Sequence, residues 1–98
     1  MNDDINTTIR LYIKHYVNNI GGLINYKNIQ FSLYYYNYRL YITTIIDNNQ
    51  MEIAVDNIFG FNTEYTKEEI IVKQYLTDWC IKEYEKEGIN IEYELWAI

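Results

Sequence analysis

"QFSLYYYNYRLYITTII", spanning Gln30 to Ile46, decides the fold. Successive side chains of a strand point to opposite faces, and with Ile29 added the stretch sorts cleanly. Ile29, Phe31, Leu33 and Tyr35 form one row, and Gln30, Ser32, Tyr34 and Tyr36 form the other. Asn37 is the predicted hairpin turn, because asparagine tolerates positive φ. The returning strand sets Tyr38, Leu40 and Ile42 against Arg39, Tyr41 and Thr43. Five tyrosines lie between Tyr34 and Tyr41, so phenol rings must stand on both sides of the sheet.

Downstream, "DNNQ" supplies a second turn. "MEIAV" follows as a third strand, with Met51, Ile53 and Val55 inward and Glu52 outward. Upstream, Ile5, Ile9, Ile13, Tyr16, Val17 and Ile20 recur at intervals of three and four, the stripe of an amphipathic helix. Asn2, Asp3 and Asp4 offer its cap and favourable first-turn charge, and Gly21 and Gly22 end it. Residues 23–27 read as a connector. After the loop "DNIFGFNTEY", "TKEE" reads as a capping box, with Thr66 and Glu69 three residues apart. The helix it opens carries Val72, Tyr75, Leu76, Trp79, Cys80 and Tyr84 on one face, and Gly88 stops it. "INIEYELWAI" then alternates as a last strand. The predicted order is α-β-β-β-α-β, one α+β domain with an antiparallel four-stranded sheet and two helices packed on one face.

Charge restricts the function classes. Fourteen acidic residues against eight basic ones leave a formal charge of -6. The chain therefore lacks the cationic footprint that neutralises phosphates, and direct nucleic-acid binding is disfavoured. It should be drawn to basic surfaces instead. A single cysteine, Cys80, precludes an intrachain disulfide and a multi-thiolate metal site. The opening "MNDDINTTIR" is acidic and polar where a secretion signal is basic and then apolar. No apolar run approaches a membrane span, so a cytoplasmic location in a bacterial host cell is expected. Ile, Asn, Lys and Tyr make up about half of the chain. All four use AT-rich codons, which fits low-GC bacteria and their phages.

Catalytic motifs do not emerge. His15 is the only histidine, and a lone histidine on a helix is more often incidental than catalytic. Cys80 beside Trp79 reads as a small core residue. No phosphate loop, His-Glu metal pattern or calcium loop occurs, so no catalytic residue, metal site or cofactor is expected.

The rings and carboxylates are the remaining candidates. In the predicted packing Tyr34, Tyr36, Tyr41 and Trp96 stand on the uncovered sheet face, and tyrosine and tryptophan are enriched at binding hot spots. Glu83, Glu85, Glu87, Glu92 and Glu94 form an acidic stretch against one Lys86. The plainer readings are aromatic cross-strand pairs that stabilise an open sheet and a solvated helix end.

A short helix, a meander ("QFSLYYY", "YRLYITTII", "MEIAV") and a following helix, on a small acidic chain, resemble certain phage-encoded anti-CRISPR proteins. The likeness is one of element order over most of the chain. It implies a non-enzymatic, stoichiometric inhibitor of a nucleic-acid-handling enzyme. A Cas effector or another nuclease with a basic surface would be the partner, met by the nine residues just named. The alternatives are an immunity protein that neutralises a toxin nuclease, and a structural phage protein that uses the tyrosine face for a homodimer or larger self-assembly.

Overall fold

Three two-residue turns organise the sheet. In the computed structural model, which describes residues 2–60 and 64–86, the chain runs α1 (Asn2–Asn19), β1 (Leu23–Tyr26), β2 (Ile29–Tyr36), β3 (Arg39–Ile46), β4 (Asn49–Ala54), α2 (Val55–Ile58) and α3 (Lys67–Lys86). The strands form one antiparallel sheet in the order β1-β2-β3-β4, and the fold is α+β. Lys27-Asn28, Asn37-Tyr38 and Asp47-Asn48 make the turns, each with φ of 50–52° and then 64–66°. Positive φ at both central residues marks the type I′ turn, whose twist matches that of the strands it joins.

Two expectations change here. Residues 23–26 were expected to connect, yet they form β1, pairing Ile24 with Phe31 and Tyr26 with Ile29. Four residues are too few to show a period, and Lys27 is an unusual first residue for a type I′ turn. Tyr38 was expected on the inward row. It is instead the second turn residue and fully exposed, because the tight hairpin takes two residues and strand pairing resumes at Tyr36 opposite Arg39. The stretch "INIEYELWAI", expected as a strand, lies outside the described residues.

Register carries the alternation across the sheet. Ile24, Phe31, Thr44 and Met51 form one inward row, and Leu33, Ile42 and Ile53 the next. Thr44, polar and buried on this face, donates from Oγ1 to the Gln30 carbonyl at 2.9 Å. Both long helices cover this side. Ile9 and Ile13 of α1 and Val72, Leu76, Trp79 and Cys80 of α3 join the strand residues in one buried core. Tyr12 packs 5.6 Å from Trp79 and 5.0 Å from Tyr84, and Tyr16 meets Trp79 edge-on at 5.1 Å. Such pairs add about 0.5–1.5 kcal/mol each beyond their burial.

The capping box forms. Glu69 N–H donates to Thr66 Oγ1 at 3.1 Å, and Thr66 N–H donates to Glu69 Oε1 at 2.9 Å. Ile20, expected on the α1 stripe, lies just beyond the helix and is exposed. The stretch after β4, expected as a loop after an inward Val55, begins with the helical turn α2. Val55, Ile58 and Phe59 are fully buried there. A four-residue helix is too short to declare itself by periodicity. Gly60 closes it where a Cβ would stand 2.1 Å from the Asp56 carbonyl oxygen.

Candidate functional site

The sheet's other face carries Tyr34, Tyr36, Arg39, Tyr41, Thr43 and Glu52, and no described helix crosses it. Tyr34 and Tyr41 are direct cross-strand partners. Their rings stack with centroids 5.7 Å apart and planes 22° from parallel. The Tyr34 hydroxyl reaches across β3 to donate to Glu52 on β4. That bond, with lesser contributions from desolvation and the charge of Glu52, pushes the Tyr34 pKa up to about 12. The phenol therefore stays a donor throughout the physiological range. The Arg39 guanidinium sits 6.0 Å from the Tyr41 ring centre, within cation–π range. Strand pairing and side-chain contacts thus bring one pair of rings, one carboxylate and one guanidinium together on this face.

Beyond this pair the hairpin tip is less constrained. Tyr36 is 63% exposed and Tyr38 fully so, and among the described residues neither ring stacks on another. Tyr35 belongs to the inward row, yet it is 46% exposed because the hairpin outruns the core beneath it. Four exposed tyrosines, Tyr34, Tyr35, Tyr36 and Tyr38, therefore crowd one end of the sheet, with half-buried Tyr41 beside them. Alternation alone missed Tyr38. Positive-φ tolerance at Asn37, extended to its neighbour, was the signal that could have found it.

The acidic candidates divide. Glu83 and Glu85 stand on the last turns of α3, on the covered side of the sheet, so they do not mingle with the rings. Glu83 pairs with Lys86 at 3.2 Å, and Glu85 is exposed. Glu87, Glu92, Glu94 and Trp96 lie outside the described residues. The carboxylate that does join the tyrosines is Glu52.

Cys80 and His15 sit in different environments. Cys80 is fully buried, and burial pushes its thiol up to about 12, the condition of an inert core thiol. His15 is exposed, its Nδ1 within 3.0 Å of the Asn19 side-chain amide. A second polar cluster ties β1 to α3. Tyr26 donates to Asp78, and Lys27 Nζ lies 3.3 Å from the same carboxylate. These two donors, the Tyr26 hydroxyl foremost, hold the Asp78 carboxyl below its ordinary value. Among the described residues no three His, Cys, Asp or Glu side chains converge as metal ligands would. No described helix is long and apolar enough to cross a membrane.

Comparison with protein-family models, with curated proteins and with solved structures finds no match.

Proposed function

We propose that the protein is a non-enzymatic binding protein that occludes the basic surface of a nucleic-acid-handling enzyme through its open sheet face. A phage or mobile-element inhibitor of a host defence nuclease is the favoured role. The observation that carries this reading is the tyrosine platform itself. Tyr36 and Tyr38 place large rings mostly in solvent, while Tyr34, Tyr41, Arg39 and Glu52 are tied to one another beside them. Rigid aromatic anchors bind with little loss of side-chain entropy. The formal charge of -6 favours a basic partner and speeds encounter with it. Glu83 and Glu85, off the platform, contribute long-range attraction and stand outside the footprint.

The test is capture and inhibition. Tagged protein is used to recover partners from a bacterial host, and each purified nuclease recovered is assayed for DNA cleavage with increasing protein. Inhibition at equimolar protein, lost in Tyr36→Ala/Tyr38→Ala and weakened by salt, is expected. Recovery of no basic nuclease, or equal inhibition by the double variant, refutes the reading.

A further inference from the structure

Beside the platform, β4 has an open side. Among the described residues it pairs with β3 alone, and no backbone hydrogen bond from another described element reaches it. The opposite edge differs: β1 is only four residues long, and α1 closes on it through the Tyr16 hydroxyl, which donates to the Leu23 carbonyl at 3.3 Å. Along β4 runs a groove of about 440 Å³, bounded by Met51, Glu52 and Ile53 on the strand and by Thr66, Glu68 and Glu69 at the start of α3. Three carboxylates line it against one guanidinium, that of Arg39.

We propose that this groove is a strand-addition site, in which an extended lysine- or arginine-bearing segment of a partner protein pairs with β4 while its cations meet Glu52, Glu68 and Glu69. The inference rests on the protein-binding reading above and adds how the partner chain is gripped. An unpaired edge offers a row of N–H and C=O groups that only another extended chain can satisfy in register. The acidic lining selects the sign of the incoming side chains. The same lining opposes a second copy, because β4 against β4 would gather Glu52, Glu68 and Glu69 of both molecules. Like charges placed opposite one another destabilise such pairing.

The test uses the full chain, isotope-labelled, and a synthetic peptide alternating lysine and valine. Saturable shifts and slowed hydrogen exchange at the amides of Asn49–Ala54 are expected. The same peptide N-methylated along one edge should bind about tenfold or more weakly, since it keeps its charge and loses its backbone donors. Glu52→Lys/Glu68→Lys should weaken the unmodified peptide on the order of fivefold or more. Equal binding of the methylated peptide, shifts that bypass β4, absence of binding, or concentration-dependent β4 shifts without peptide each overturn the proposal. If the β4 test fails while Tyr36→Ala/Tyr38→Ala still abolishes partner capture, the strand-addition site alone falls. The platform reading then stands.

Discussion

Replacing Tyr38 with glycine should make the protein more stable and a worse binder. Tyr38 occupies the second position of a type I′ turn at φ 64°, a conformation that costs an L-residue about 1–2 kcal/mol. Its side chain is fully exposed, so deletion removes no buried area. Glycine takes this conformation freely, though its looser unfolded chain returns roughly 0.5–1 kcal/mol of the gain. The net expectation for Tyr38→Gly is about 0.5–1 kcal/mol of added stability, since Asn-Gly is the preferred pair for this turn. For a chain of this size that corresponds to a rise in Tm of about 2–8 °C. Urea unfolding followed by circular dichroism should show a higher midpoint at unchanged slope, the mark of a stability change without a change in compactness. Affinity for the partner should fall about tenfold or more, as it does when an aromatic anchor is removed. Tyr38→Asn, which tolerates positive φ less freely, should fall between the two proteins in stability and match the glycine variant in binding. An unchanged or lower midpoint for Tyr38→Gly refutes the turn argument. Undiminished affinity refutes the claim that this ring is kept for contact at the expense of the fold.

Three further outcomes follow from particular contacts. Because the Tyr34 pKa is raised, the stabilisation from its bond to Glu52 is complete below about pH 10 and is lost as pH climbs toward about 12. In ring-labelled tyrosine NMR, Glu52→Gln should bring the Tyr34 titration back toward its ordinary value, and no movement would show that the bond to Glu52 is not the cause. Thr66→Ala removes one half of a reciprocal cap and should cost about 0.5–2 kcal/mol in urea unfolding. Leu76→Ala, at a fully buried site facing the sheet, should cost about 2–5 kcal/mol and leave partner affinity unchanged wherever the fold persists.

Reading the chain by its local patterns went far because the strongest patterns concern burial. Ile9 and Ile13, Phe31 and Leu33 with Leu40 and Ile42, and Val72 with Leu76 and Cys80 all lie where their spacing put them. A helix or strand with one apolar row has only one face it can bury. Thr66 and Glu69 were legible for a similar reason, since a capping box closes within four residues. The candidate platform was legible in its strands: Tyr34, Tyr36 and Tyr41 stand outward as parity required.

Parity could not decide how the ends and neighbours meet. Whether the chain turns on one residue or two at Asn37 depends on matching strand twist, and that choice sent Tyr38 into solvent. Residues 23–26 became a strand because β2 offered an edge to pair with across the Lys27-Asn28 turn, a pairing that four residues cannot announce. The sequence shows an acidic stretch and a tyrosine stretch but not their relative placement. Packing both helices on one face is what left Glu83 and Glu85 across the sheet from the rings. Local periodicity by itself determined the buried rows in the middle of α1, β2, β3 and α3, because burial within one element needs only its own repeat. Which exposed groups share a surface was decided by tertiary structure alone, because that depends on how separate elements stack.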